Sequence, residues 1–469
     1  LRQAKEVYDH IRSHGVTLRG FLADYLVVTL AKCGAIEDAF RIFKSLQRHT
    51  MFSWNAIISS SVDFGHSEEA LVLFESMMID CNQVEPDSYT YVSLFKACGN
   101  TINAMVGRKL HAVVCMEGYS SDAFVVSTLI SMYGKVGQVL EAELVFMSLP
   151  QHNVVSWNAM MSSYLQQSQA GKALRLYRQM LEEGVDGDHH TLVFALQACC
   201  NLISDGTNHL GEQSPNLISL EIGNALHVHV RRKGFTKSVF VGTALLSMYR
   251  KCGSVEEAEN VFIVLSQRNV VSWNAMISTY VDHGQGEKAL HLYKQMQHEG
   301  IQPNELTYAM SLQACGILAE SEESCLLEGQ LIKVISLHIG QILHGDLRAK
   351  GLHSDVFVGT ALLTMYGKCR AITEAESAFF SLSQQDVVAW NALMSAYLEQ
   401  REGRKALQVY NQIHEKGMNP GQITFVLALQ ACGTLAESGE SISQNDQPIL
   451  LISLHIGKVL HADAQRKGL

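Results

Sequence analysis

Residues 269–304, NVVSWNAMISTYVDHGQGEKALHLYKQMQHEGIQPN, carry the pattern that decides the fold. Their first half places apolar side chains at the i, i+3, i+4, i+7 spacing of one helical face: Trp273, Met276, Ile277 and Tyr280. Residues 282–286 interrupt this stripe, and a second apolar stripe starts at Ala289 and stops before Gly300. The stretch therefore predicts two helices joined by a turn.

The same phrase recurs along the chain around four tryptophans: Trp54, Trp157, Trp273 and Trp390. They are separated by 103, 116 and 117 residues, which is too long for one hairpin. Each period divides into a short, a standard and a long unit, which in the third period are residues 239–269, 270–304 and 305–355. Because one hairpin cannot bury its own apolar stripe, neighbouring hairpins must stack and share a core.

The predicted fold is all-α, a solenoid of stacked helix-turn-helix hairpins. Its predicted organisation is a partial long unit at residues 1–19, followed by triplets at residues 20–122, 123–238, 239–355 and 356–469, the last of which is nearly complete. The long units of the last three triplets carry polar insertions, which we expect to be exposed loops without regular structure. The chain opens on Leu1 inside a helical phrase and shows no targeting segment, which is typical of a fragment.

Composition limits the classes of function. No apolar run approaches the ~18 residues of a membrane span. The formal charge of −10 argues against attraction of nucleic acid by overall charge, but it leaves room for a groove lined by lysines.

The cysteines follow the repeat. Two phases of the repeat carry most of them: Cys33, Cys252 and Cys369 in one, and Cys98, Cys199, Cys315 and Cys432 in the other. Val136 occupies the remaining place of the first phase, and no C-x-x-C pair occurs. We therefore expect core thiols in a reducing compartment, with no metal and no cofactor.

The stretch 269–304 resembles a pentatricopeptide repeat. Its alternation with VFVGTALLSMYRKCGSVEEAENVF (239–262) and with the LHIGQILHGDLRAKG segment (337–351) is similar to the plant organellar subclass that interleaves short, standard and long repeats. The resemblance implies a right-handed α-solenoid superhelix that binds single-stranded RNA at one base per repeat. It also implies that the fifth residue of each first helix and the last residue of the unit read the base together.

Carried onto this sequence, that rule selects six pairs of base-reading residues: Asn55 with Asp87, Ser127 with Asn153, Asn158 with Asp188, Thr243 with Asn269, Asn274 with Asn304, and Thr360 with Asp386. Asp24 with Thr50 and Asn391 with Gly421 fit no strong rule. The long units carry apolar fifth residues and are expected to be spacers: Val92, Val193, Ala309 and Val426. The resemblance then implies an RNA site of the form N-U-N-A-U-N-A-Y-N-G-N-N, read 5′ to 3′ along the chain.

Two further sets of residues are candidates for RNA contact. The second residue of the first helix would wedge between bases: Phe21, Phe52, Phe124, Val155, Phe240, Val271, Phe357 and Val388. Packing between helices is the alternative for these side chains. A lysine at the thirteenth position of every short unit would contact phosphate, or would simply be solvated at a helix end: Lys32, Lys135, Lys251 and Lys368.

An enzyme and a protein-binding scaffold are the rival hypotheses. Members of the subclass often continue into a zinc-dependent deaminase with an H-x-E and P-C-x-x-C pattern. The only H-x-E here, His66-Ser67-Glu68, falls where a sister copy has a turn, so we expect no enzymatic activity. A peptide-binding solenoid would not need Asn, Ser or Thr at one phase and Asn or Asp at another. We therefore expect single-stranded RNA as the partner, and the resemblance implies a mitochondrion or plastid, with editing or processing proteins as further partners.

Overall fold

The computed structural model describes residues 21–46, 48–79, 84–204, 215–327, 330–438 and 457. The chain divides into two compact units, Leu1–Phe235 and Thr236–Leu469. The partial unit predicted at 1–19 and most of the last long unit lie outside the described residues. The boundaries of the triplets stay a prediction.

The first compact unit consists of α-helices in the described residues, with a 3-10 turn at Tyr119–Ser121. They are α1 (Phe21–Lys32), α2 (Ile36–Ser45), α3 (Met51–Asp63), α4 (Ser67–Ile79), α5 (Ser88–Asn100), α6 (Ala104–Met116), α7 (Ala123–Val136), α8 (Val139–Met147), α9 (Val154–Gln166), α10 (Ala170–Glu182), α11 (His189–Ser204) and α12 (Pro215–Arg232). A second 3-10 turn follows at Phe235–Lys237.

The second compact unit has the same succession of helices and, in addition, one small β-hairpin. Its elements are α13 (Val239–Cys252), α14 (Val255–Val264), α15 (Val270–Asp282), α16 (Gly286–His298), α17 (Glu305–Ser321), β1 (Cys325–Leu327), β2 (Gln330–Ile332), α18 (Val334–Ala349), α19 (Val356–Lys368), α20 (Ile372–Ser381), α21 (Val387–Glu399), α22 (Gly403–Glu415) and α23 (Gln422–Ser438).

Stacking of hairpins is confirmed within each unit. The odd-numbered helices are the first helices of the hairpins, and each packs against the next odd-numbered helix of its unit and against its own second helix. The four tryptophans lie in this shared core, and Trp157 and Trp273 are fully buried. The prediction of an all-α solenoid of hairpins is therefore correct for both units.

The prediction that the phased cysteines lie in the core is correct for six of the seven. Cys98, Cys199, Cys252, Cys315, Cys369 and Cys432 are buried thiols, and burial raises the pKa of Cys98 to about 11. Cys33 is exposed, which corrects the prediction for that residue. Cys369 is buried in contact with Cys315 of the preceding long unit, whereas the unit that would precede Cys33 falls outside the described residues.

The insertion of the third triplet is not an irregular loop, which corrects that prediction. The preceding helix α17 has 17 residues against 13 in α5, the counterpart without an insertion. The antiparallel pair β1 and β2 follows, with Leu326 opposite Leu331. In the second triplet α11 and α12 also extend into the insertion, while residues 205–214 lie outside the described residues, as do 439–456 of the fourth.

Hydrogen bonds to Glu322 connect this insertion to the next helix, α18. Its carboxylate accepts hydrogen bonds from the backbone N–H groups of Ile335 (2.7 Å) and Ser336 (2.9 Å) and from the Ser336 hydroxyl (2.6 Å). It therefore caps the N-terminus of α18 from outside that helix. Burial alone would raise the pKa of Glu322, but these hydrogen bonds outweigh it and lower the pKa.

None of the described helices has the length and apolar character needed to cross a bilayer.

Replacing Glu322 with glutamine should loosen the start of α18. The amide would lose the charge that favours a helix N-terminus and one of two equivalent acceptors, at a cost of about 1 kcal/mol. Amide hydrogen exchange at Ile335 and Ser336 should accelerate about fivefold near neutral pH. Because the folded-state pKa is lowered, the difference should shrink as the pH falls and Glu322 protonates in the parent protein. The exposed neighbour Glu323 provides the control variant E323Q, and equal exchange in both variants would refute the cap.

Candidate nucleic-acid interface

The last residue of each repeat is the N-cap of the next first helix. Asp87 Oδ1 accepts from the backbone N–H of Thr90 at 2.9 Å, and Asp188 Oδ1 accepts from that of Thr191 at 2.9 Å. Asn304 Oδ1 accepts from the backbone N–H of Thr307 at 3.0 Å. The residue types at this phase are thus also those that satisfy the free N–H groups of a helix start. The side chains that are predicted to read bases therefore also cap the helices.

In three standard units the two predicted base-reading residues are hydrogen-bonded to each other. The amide nitrogen Nδ2 of Asn55 donates to both carboxylate oxygens of Asp87, at 3.0 Å each. Asn158 Nδ2 donates to Asp188 Oδ1 at 3.0 Å. A primary amide offers two N–H donors and an oxygen with two lone pairs. One donor is used within the protein, and the other remains for a ligand.

The third standard unit repeats this arrangement with a neutral pair. Asn274 Nδ2 donates to Asn304 Oδ1 at 3.0 Å. Asn274 is only 4% exposed, whereas Asn55 and Asn158 are partly exposed. Contact of a base with Asn274 therefore requires its surroundings to open slightly.

Asp188 is a strong anion because of these contacts. Burial would raise its pKa, but hydrogen bonds from the Thr191 backbone and the Asn158 amide outweigh that effect and lower the pKa to about 2. The carboxylate is therefore ionised at neutral pH and can only accept hydrogen bonds. It suits the N–H groups of a base and repels phosphate.

The fourth standard unit lacks the second partner. Gly421 stands where the sister units have Asp or Asn, and the buried Oδ1 of Asn391 has no hydrogen-bond partner in the described structure. An amide with one unsatisfied end has no fixed orientation. This agrees with the absence of a strong base rule for Asn391 and Gly421.

In the short units the fifth residue bonds to its own helix. The hydroxyls of Ser127, Thr243 and Thr360 donate to the carbonyl four residues earlier, at 2.5, 2.7 and 2.6 Å. Each hydroxyl has then used its proton and offers lone pairs to a ligand. Ser127 is 5% exposed, and the two threonines are partly exposed.

The second partners of the short units are N-caps with exposed side chains. Oδ1 of Asn153 accepts from the Ser156 backbone N–H at 2.9 Å, and Oδ1 of Asn269 accepts from that of Ser272 at 3.0 Å. Asp386 Oδ1 accepts from the Ala389 backbone N–H at 2.8 Å. The remaining end of each group is a donor amide nitrogen in the asparagines and an acceptor oxygen in the aspartate.

Seven of the position-two side chains are exposed, although they are large and apolar: Phe52, Phe124, Val155, Phe240, Val271, Phe357 and Val388. The side chain of Phe21 lies outside the part of the structure that is described. Phe124 and Phe240 are 75% and 77% exposed. Packing inside the core does not explain them. The long units continue the series with exposed residues outside the predicted set: Tyr89, His190, Leu306 and Ile423. Each of them is the second residue of its helix, and this shared position is the sequence signal that could have identified them.

The predicted phosphate-binding residues Lys135 and Lys368 have partners in the preceding long unit. Lys135 Nζ donates to Asn100 Oδ1 at 3.0 Å, and Lys368 pairs with Glu320 at 2.5 Å. Their alkyl stems lie close over Gly99 and Gly316. Lys32 is exposed and Lys251 half-buried. These contacts show neither simple solvation nor phosphate binding, so the phosphate role stays a prediction.

One group of side chains in the described residues could approach a metal ion. The ligand atoms of Asp188, His189 and His190 lie within 4.8 Å of one another. These residues are consecutive at the start of α11, where the helix dipole disfavours a cation, and the carboxylate already accepts hydrogen bonds from the Asn158 amide and the Thr191 backbone. His66 of the single H-x-E phrase lies in the turn just before α4, as expected, with Nδ1 3.7 Å from Glu69.

Comparison with known proteins matches these repeats to family models. A model described as the PPR repeat family matches residues 49–100, 152–201, 268–316 and 385–434, and the PPR repeat model matches residues 124–154 and 243–270. Together they cover more than half of the chain. The chain belongs to the pentatricopeptide repeat family.

Pentatricopeptide repeat-containing proteins of Arabidopsis thaliana are among its relatives. One chloroplastic protein is 29% identical over 93% of this chain and 50% of its own length. A second chloroplastic protein is 30% identical over 87% of this chain and 61% of its own length. The chain thus spans about half to three fifths of these curated relatives.

Among solved structures, the maize pentatricopeptide repeat protein PPR10 in complex with an 18-nucleotide psaJ RNA element is similar at 19% identity. The similarity covers 97% of this chain and 66% of that one, with a TM-score of 0.47.

Substituting Asn158 with alanine should raise the pKa of Asp188 from about 2 towards the ordinary value near ~4. Because the folded-state pKa is lowered, Asp188 stabilises the fold above about pH 4, and this contribution is lost as the pH falls towards 2. Carbon-13 NMR titration of the carboxyl group would measure the change. The matched control is Asn274→Ala, whose partner Asn304 is neutral. An unchanged Asp188 titration in the Asn158 variant would refute the hydrogen-bonded pair.

Proposed function

We propose that this chain binds single-stranded RNA sequence-specifically, as a factor in organellar RNA processing or C-to-U editing. The observation that carries the proposal is the recurrence of one hydrogen-bonded pair, Asn with Asp or Asn, at the same phase of three standard units. Pentatricopeptide repeats as a class read one base per helical repeat with two or three side chains. A mitochondrial or plastid location and editing or processing proteins as partners belong to the same proposal.

The free donors and acceptors fit the bases that the family rule assigns. At Asn158 with Asp188, one amide N–H and one oxygen lone pair remain, and a pyrimidine presents a donor and an acceptor on its Watson–Crick edge. At Thr243 with Asn269, an acceptor hydroxyl and a donor amide complement N6–H and N1 of adenine.

Guanine fits the remaining short unit by the same reasoning. At Thr360 with Asp386, both side chains accept, which complements the N1–H and N2–H donors of guanine. The difference between adenine and guanine thus rests on an Asn or an Asp at the end of the unit.

The exposed position-two side chains would supply contact that does not depend on base identity. Aromatic and apolar side chains that stack on bases contribute ~1–3 kcal/mol each in single-strand binders. Lys32, Lys135, Lys251 and Lys368 are proposed to contact phosphates, with Lys135 and Lys368 exchanging their present partners for RNA. The proposal assigns no catalytic role to the chain. A peptide-binding scaffold is the alternative, and it gives no reason for the recurring pairs.

The substitution Thr243→Asn tests base reading directly. It converts an acceptor hydroxyl into an amide with a donor, so the preference at the seventh base should move from A towards pyrimidine. Fluorescence polarisation with 12-nucleotide RNAs that differ only at that base would measure the change. The hydroxyl of Thr128 likewise bonds to the backbone of its own helix, and Thr128→Asn should leave the seventh base unaffected. Retention of the wild-type preference by Thr243→Asn would contradict the assignment.

Restoring the missing partner of Asn391 should create a preference where none is expected. Gly421 has a negative φ, and a Cβ added to it would meet no atom within 4 Å, so an aspartate fits there. In Gly421→Asp the carboxylate would fix the Asn391 amide as Asp188 fixes Asn158. Binding should then favour U at the eleventh base by about 3–10-fold, the range of one hydrogen bond. Gly421→Ala is the control, and equal base profiles in both variants would contradict the pairing.

A further inference from the structure

A third side chain completes each Asn pair, and it comes from the following long unit. The hydroxyl of Thr90 donates to Asn55 Oδ1 at 2.6 Å. Thr191 and Thr307 donate to Oδ1 of Asn158 and Asn274, at 2.7 Å in both cases. All three threonines are fully buried. They occupy the third position of α5, α11 and α17, in units whose own fifth residue is apolar.

The direction of these hydrogen bonds follows from the backbone. The Thr191 hydroxyl accepts from the backbone N–H of Asp188 at 3.1 Å. Its single proton is therefore free for an acceptor, and Asn158 Oδ1 at 2.7 Å is nearer than Asp188 Oδ1 at 3.0 Å. The amide is thus held at both ends, with its nitrogen on Asp188 and its oxygen on Thr191. It cannot rotate by half a turn without placing a donor against a donor.

The fourth standard unit shows that the threonine alone does not fix the orientation of the asparagine amide. Thr424 is present and buried, and it accepts from the backbone N–H of Gly421 at 3.3 Å. Asn391 Oδ1 nevertheless lacks a partner in the described structure. With glycine at the end of the unit, the nitrogen of the amide has no acceptor that would turn its oxygen towards the threonine.

We propose that Thr90, Thr191 and Thr307 are positioning residues that determine base specificity by fixing the orientation of the preceding asparagine amide. The inference rests on the proposed function, because it concerns the same base-reading surface. The free N–H and the free lone pair of each asparagine then face the base in one arrangement only. A long unit with an apolar fifth residue is therefore not merely a spacer, since its first turn completes the reader of the standard unit before it.

The short-to-standard junctions provide a natural control. Ser156 occupies the same third position in α9, and its hydroxyl donates to the backbone carbonyl of Asn153 at 2.9 Å. It also accepts from the Asn153 backbone N–H at 3.1 Å. Ser156 thus completes a capping box, as Thr191 does, but gives no hydrogen bond to a fifth residue. Loss of the hydroxyl at position 156 tests the cap alone.

The experiment compares wild type, Thr191→Val, Thr191→Ser and Ser156→Ala. Each is titrated by fluorescence polarisation with four 12-nucleotide RNAs of the predicted site that carry U, C, A or G at the fifth base. Wild type should favour U. Thr191→Val keeps the volume of the side chain but lacks the hydroxyl, so the ratio of Kd for C to Kd for U should fall about 3–10-fold. Thr191→Ser should keep the wild-type ratio, and Ser156→Ala should not change it.

The outcomes separate the inference from the proposed function. A wild-type ratio in Thr191→Val overturns the inference, as does an equal loss in Thr191→Ser, which would indicate packing. Wild-type binding with no preference at any base overturns the proposed function. In the free protein, the side-chain amide protons of Asn158 should exchange faster in Thr191→Val than in Ser156→Ala. Equal exchange also overturns the inference, whatever the RNA affinity.

Discussion

The hydrogen bond at the start of each first helix is the interaction on which the rest of the structure depends. A helix leaves its first N–H groups without partners, and here the last side chain of the preceding repeat accepts from one of them. This fixes the residue type at the junction to Asp, Asn or Thr in most repeats. In three standard units the same side chain also accepts a hydrogen bond from the fifth residue of its own repeat. A requirement of folding thus brings together the two polar groups that are proposed to read a base.

This coupling makes the register of the array hard to change. Adding or removing one residue at a junction would displace both the N-cap and the residue that is proposed to read the base with the fifth residue. Insertions are found instead between the two helices of the long units. In the third triplet the insertion follows α17, whose 17 residues put it about 25 Å from the Asn304 cap at ~1.5 Å per residue. The loops can thus vary in length while the junctions stay constant.

Much of this could be predicted from the sequence, because the signals are periodic. The Trp273 stripe, the turn after it and the polar junction residues predict hairpins and their phase. The β-hairpin at Cys325–Ile332 could not be predicted, since its six strand residues are too few for a pattern and Glu322 acts across the insertion. The contact of Thr191 with Asn158 could not be predicted either, because a threonine three residues after Asp188 indicates only a capping box. Its contact with Asn158 joins residues 33 positions apart, which no local pattern shows.

The central claim is that the chain reads RNA in one register. The most direct measurement is the affinity of the wild-type chain for a 12-nucleotide RNA of the form N-U-N-A-U-N-A-Y-N-G-N-N, compared with a circular permutation of the same bases shifted by one place. The two RNAs have equal composition and charge, so attraction to the backbone is the same for both. The account predicts tighter binding of the RNA in register by at least about tenfold, since several base contacts are lost together. Equal affinity for the two RNAs would contradict it.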